Sequence, residues 1–187
     1  MNKTEKLFQA ISKVLAPPPK LAISDWADEY RFLSRESSAE PGKWYTSRAE
    51  YQREIMNAIS DPKTERVVLM TSAQIGKTEL LLNTIGYYVD YDPSPIMLVQ
   101  PTLDMAESFS KDRLDPMIRD TPAIKDKFAD KKTRNSGNTI THKKFIGGHI
   151  TMVGANSPSS LASRPIRIVL ADEVDRFPHS AGEEGDP

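Results

Sequence analysis

Three consecutive residues, Gly76-Lys77-Thr78, and two adjacent acids, Asp172-Glu173, are the parts of this chain best suited to chemistry. Glycine, lysine and a hydroxyl in that order suit a polyphosphate. Backbone N–H groups at the start of a helix attract an anion. The lysine adds a full positive charge, and the threonine hydroxyl can ligate Mg²⁺. Two carboxylates at the end of an apolar run suit the other half of the same reaction. Asp172 would hold the Mg²⁺ shell, and Glu173 would polarise the attacking water as general base.

These residues act together only if the surrounding chain positions them. Val67-Val68-Leu69-Met70 is apolar, and Leu80-Leu81-Leu82 opens a second apolar segment. The order predicts a strand over Arg66–Met70, a tight loop, and a helix from about Lys77 to Val89. In the general pattern G-x-x-x-x-G-K-[ST] the loop is Thr71-Ser72-Ala73-Gln74-Ile75-Gly76-Lys77-Thr78, with Thr71 in place of the first glycine. Taken alone, the stretch also fits an ordinary strand-to-helix turn with a surface lysine. The later run Ile166-Arg167-Ile168-Val169-Leu170-Ala171, closed by the two acids, decides for a nucleotide-hydrolysing P-loop fold.

The rest of the chain reads as alternating strands and helices. Ile96–Gln100 is a continuous apolar run, as in a buried parallel strand. Leu103 to about Arg119 has helical spacing, and His149–Val153 alternates as a strand. The expected fold is α/β, with a parallel sheet flanked by helices. Two strands fall between the motifs, which suits the additional-strand, RecA- or helicase-like branch of P-loop NTPases.

Upstream, helices are expected from Ser24 or Asp25 through Tyr30 and from Thr46 to about Ser60, with a loop over Ser34–Tyr45. Trp44 and Tyr45 in that loop suit packing, or stacking on a ligand base. Gln52 lies one helix before the loop, and its amide can both donate to and accept from an adenine edge. Residues 4–15 form an amphipathic stripe ended by Ala16-Pro17-Pro18-Pro19, so residues 1–20 read as an arm and 21–187 as the ATPase domain. Lys125 to Lys144 reads as a cation-rich loop, either solvated or touching a phosphate backbone.

Composition closes off other chemistries. Without cysteine there is no disulfide, thiolate metal site or cysteine nucleophile. No apolar run approaches the roughly 20 residues of a membrane-spanning helix. A net charge of −1 gives no global footprint for nucleic acid, so any contact with DNA must be local.

The stretches E-Y-Q-R-E-I-M, T-S-A-Q-I-G-K-T-E, I-M-L-V-Q-P-T-L-D-M-A-E-S-F-S-K-D-R-L and R-P-I-R-I-V-L-A-D-E-V-D-R-F-P together resemble the ATPase portion of the lambda-type large terminase subunit of tailed phages. Thr71 in place of glycine is typical of that family. The resemblance implies a motor that hydrolyses ATP with Mg²⁺ to drive double-stranded DNA into a procapsid, through its portal, in the host cytoplasm. It implies a homo-oligomeric ring and a small terminase subunit that docks on residues 1–20. Gln52 would sense adenine and Ser72–Thr78 would hold the phosphates. Thr78 and Asp172 would hold the metal, and Glu173 would activate water. Ala73 stands where many terminases carry an arginine, which makes Arg164 the candidate finger for a neighbouring subunit. The family's coupling strand and nuclease lie beyond the acidic pair, so a sheet incomplete after that strand is expected. A helicase-like translocase and a non-catalytic nucleotide-binding assembly module are the alternatives.

Overall fold

The computed structural model describes residues 5, 8, 21–128, 137–157, 161 and 165–179. The expected arm helix lies outside the described residues except at Glu5 and Phe8.

A four-stranded sheet organises the fold. Its strands are β3 (Ile96–Gln100), β4 (His142–Phe145), β5 (Gly148–Gly154) and β6 (Ile168–Ala171), in the order β4-β5-β3-β6. β3 runs parallel to both neighbours, with Leu98 opposite Met152 on one side and Leu170 on the other. β4 closes one edge as an antiparallel hairpin with β5. Every residue of β3 is buried, because helices cover one face and loop residues the other. Its continuous apolar run therefore reads correctly as a central strand. Alternation sends Ile96, Leu98, Ile150 and Met152 into the main core, and Met97, Val99 and Val153 into a smaller cluster with Leu161, Ile166 and Phe177.

Helices α1 (Ile23–Tyr30), α2 (Tyr51–Ser60) and α3 (Lys77–Asp90) pack together on the main-core side. Gly86 lets α3 meet the Trp26 ring of α1; a Cβ there would lie 2.1 Å from the ring. The indole N–H of Trp26 donates to Asp90 Oδ2 at 2.7 Å, satisfying a fully buried side chain. α1 starts after Ala22 without a side-chain cap. Ser24, one of the two expected helix starts, lies within α1, donates to Asn57 Oδ1 at 2.6 Å and ties α1 to α2.

The structure alters four other expectations. First, Arg66–Met70 forms no strand: Val68 is 80% and Met70 98% exposed, and the segment pairs with neither sheet edge. An apolar run becomes a strand only when a partner satisfies its backbone, and no described strand does so here. Second, the helix expected over residues 103–119 divides into α4 (Leu103–Phe109), a π turn (Ser110–Leu114) and α5 (Asp115–Asp120). Pro116 lacks the N–H that a regular helix needs at this point. A short helix α6 (Pro122–Lys125) follows.

Third, the region read as an extended loop over 34–45 contributes to a ribbon of β1 (Phe32–Leu33) and β2 (Gly42–Lys43). Trp44 then packs in the main core, and Tyr45 stays 48% exposed. Fourth, part of the cation-rich stretch is strand β4. Lys143 is buried there and paired with Asp115 Oδ1 at 3.0 Å. Lys131, Lys132 and Arg134 lie outside the described residues.

Candidate functional site

Lys77 is the first residue of α3, and Gly76 before it adopts the left-handed conformation at φ +80°. Only glycine fits well here. Backbone sterics penalise any side chain at that φ, and a Cβ would approach Gln52 Nε2 to 2.7 Å. The Gly76 carbonyl accepts from Glu79 N at 3.0 Å and so closes the first turn of α3. Gln74 also has positive φ, at 59°, so the loop curls tightly into the helix. Thr71, Ser72, Ala73 and Gln74 are exposed, while Ile75, Gly76, Lys77 and Thr78 are half-buried.

Helix α2 grips this loop from behind. Gln52 Nε2 donates to the Ile75 carbonyl at 3.1 Å and to that of Gly76 at 3.5 Å; the Tyr51 hydroxyl donates to Ile75 O at 2.7 Å. Gln52 is 1% exposed, and its Oε1 is buried without a hydrogen-bond partner among the described residues. Tyr51 is 56% exposed.

The acidic pair follows β6 directly. The Asp172 amide donates to Val99 O at 3.0 Å, and its Oδ2 accepts from Gln100 Nε2 at 3.1 Å. Gln100 closes the parallel neighbour β3 and is 3% exposed, so a buried amide aims the carboxylate. Glu173 adopts the left-handed conformation at φ 52° and pairs with Arg176 at 2.9 Å. Among the described residues, no hydrogen bond or ion pair joins Lys77 or Thr78 to Asp172 or Glu173. Arg164 lies outside the described residues.

Three further features are missed by sequence reasoning. Gln100 is one; the signal was a polar residue ending an apolar strand. The second is a cavity of about 370 Å³ whose lining includes Leu33, Lys43, Trp44, Tyr45, Arg48 and Glu79. Lys43 Nζ and Arg48 Cζ lie 6.0 and 5.7 Å from the Tyr45 ring centroid. The third is a buried ion pair, with Arg31 NH2 3.0 Å from Glu79 Oε2. Burial pushes the Arg31 guanidinium below its ordinary pKa, and Glu79 opposes that shift.

An α/β domain with a mostly parallel sheet flanked by helices is an architecture shared by many nucleotide-using enzymes. The model of the family described as "Phage terminase large subunit gpA, ATPase domain" matches residues 38–187, and the chain belongs to that family. It is 31% identical over 187 residues to the large terminase subunit of Enterobacteria phage P21, covering 100% of this chain and 29% of the relative. It is 28% identical over 189 residues to that of Escherichia phage lambda, again covering 100% of this chain and 29% of the relative. The chain thus spans less than a third of the length of these relatives. No solved structure matches it. Among the described residues, no helix is long and apolar enough to cross a membrane.

Proposed function

We propose that this chain is the ATP-binding and ATP-hydrolysing part of a DNA-packaging motor, with a P-loop site of the additional-strand type. One observation carries the reading. Within a terminase ATPase domain, G-K-T sits at the start of a helix behind a left-handed glycine, and a buried amide orients the first of two acids at a parallel strand end.

The chemistry is in-line attack of water on the γ-phosphate, achieved by positioning rather than by a covalent intermediate. The loop from Thr71 to Gly76 surrounds the phosphates with backbone N–H groups, and Lys77 neutralises their charge. The donor set fits magnesium, a hard cation that favours oxygen and is often held by one carboxylate plus substrate phosphates. Asp172 and Thr78 would hold it, and when bound it would offset charge on the phosphoryl oxygens. Glu173 takes the proton of the attacking water. Gln52 keeps the loop in shape, and its unused Oε1 is an acceptor of the kind that an adenine amino group satisfies. Arg164 is the finger for a neighbouring subunit of a ring.

Double-stranded DNA, a small terminase subunit bound through residues 1–20, and a procapsid portal are the partners this reading requires, in the host cytoplasm. The test separates binding from hydrolysis. Lys77→Ala is expected to lose nucleotide. Glu173→Gln is expected to keep it while hydrolysis stops. Hydrolysis by Glu173→Gln at the parent rate would overturn the assignment.

A further inference from the structure

Arg31 reaches from the end of α1 to the first turn of α3, where its guanidinium meets Glu79. The Arg31 side chain is 1% exposed and that of Glu79 19%. The pair is not an efficient source of stability. Removing a guanidinium from water is costly, and among the described residues Arg31 Nε has no hydrogen-bond partner. Apolar side chains of similar volume often serve as well in such places. The position of the pair suggests another use.

Glu79 is the acid of the first turn, two residues after Lys77. A carboxylate there sits in the same positive field of the helix start that draws a phosphate. Left unpaired, it would compete with a polyphosphate for that field and repel it. Glu79 also lines the cavity beside the Tyr45 ring, so the carboxylate borders solvent-accessible space at the first turn of α3. The Arg31 carbonyl accepts from Trp44 N at 2.9 Å, fixing the arginine's backbone to the chain that lines the same cavity.

We propose that Arg31 is a positioning residue for nucleotide. By holding and neutralising Glu79, it keeps that carboxylate from opposing the phosphates at the start of α3. This rests on the nucleotide-site reading above. Arg31 itself touches no phosphate; it acts through Glu79.

Equilibrium binding of mant-ATP to the purified protein, with melting temperature recorded in parallel, tests the proposal. Arg31→Met is expected to weaken binding about tenfold, the order expected of one exposed charge acting across a partly solvated gap. The double variant Arg31→Met/Glu79→Gln is expected to return to within about threefold of the parent, because the repelling charge has gone with its partner. Glu79→Gln alone is expected to bind at least as tightly as the parent while melting lower. Parent-like binding by Arg31→Met, a double variant as weak as the single, or weakened binding in Glu79→Gln would each overturn the proposal. Should Arg31→Met fail to fold, the Glu79→Gln arm still decides. Lys77→Ala separates the two layers. If it binds like the parent, the nucleotide-site reading fails; if it loses binding while Arg31→Met does not, only the role of Arg31 fails.

Discussion

Gln52 on α2 donates its amide to the carbonyl of Ile75 at 3.1 Å, and the same amide occupies the space where a Cβ of residue 76 would stand. One side chain therefore both supports the loop and dictates glycine at its end. Gly76→Ala meets two obstacles: the left-handed φ and the 2.7 Å approach to Gln52 Nε2. A cost of about 1–3 kcal/mol is expected, together with weaker mant-ATP binding. Thermal melting and equilibrium titration of the same sample would check both. A Gly76→Ala protein unchanged in both would show that the loop shape is not fixed as described.

Gly86 makes a second close approach, far from the loop. Its Cβ would lie 2.1 Å from Trp26 Cη2 and 2.8 Å from Met117 Cε, inside the main core. Ala is normally the better helix former by about 1 kcal/mol. Here overpacking wins, and Gly86→Ala is expected to destabilise the fold by about 2–3 kcal/mol. Denaturant unfolding would measure it. A stabilised Gly86→Ala variant would mean that α1 and α3 are farther apart than described.

Gln100 is expected to matter for turnover more than for folding. Among the described residues its amide is the only side chain that bonds to the Asp172 carboxylate. Gln100→Leu removes that donor but keeps much of the volume at a buried strand end. ATP hydrolysis is expected to fall roughly tenfold or more, as when a residue orienting a metal ligand is lost. The Mg²⁺ concentration for half-maximal rate is expected to rise, which a purely structural role for Gln100 would not produce.

On the surface, Arg119 donates to both Asp120 oxygens and to Glu36, and its hydrogen bonds are the main cause holding the Asp120 carboxyl at about 2. A folded-state value below the unfolded one stabilises above pH ~4. That contribution fades as pH falls from about 4 through about 2. Because Asp120 is substantially solvated, it is expected to be no more than ~1 kcal/mol. Melting curves for the parent and Asp120→Asn should therefore converge below pH 3 and separate at pH 7. Equal melting temperatures at pH 7 would show that the network contributes nothing measurable.

Local patterns were legible in the sequence where the partner is a generic core. Ile96–Gln100 and His149–Val153 needed only alternation or a continuous apolar run to be recognised as strands, and α3 needed only the apolar segment that opens at Leu80-Leu81-Leu82 behind the loop. The loop glycine was legible as well, because few residues adopt its backbone. What the chain could not disclose were contacts across long separations. Nothing near Gln100 points to Asp172, 72 positions away, and nothing near Arg31 points to Glu79. The Arg66–Met70 run failed as a strand for a related reason: its composition is right for a sheet, but pairing depends on a neighbour that its own residues do not specify. Of the two uses open to Trp44 the structure shows packing, with its buried indole N–H donating to Thr46 Oγ1 at 3.0 Å.

The open side of β6 has a practical consequence. Among the described residues β6 pairs on one side only, Val169 upon it is 61% exposed, and the run Val67-Val68-Leu69-Met70, unpaired among them, offers a second apolar backbone. Two such surfaces on one molecule are complementary to those of the next, so strands can add from copy to copy. In concentrated solution these molecules should therefore associate through backbone pairing, and a charged residue in place of Val169 or Val68 should keep them dispersed.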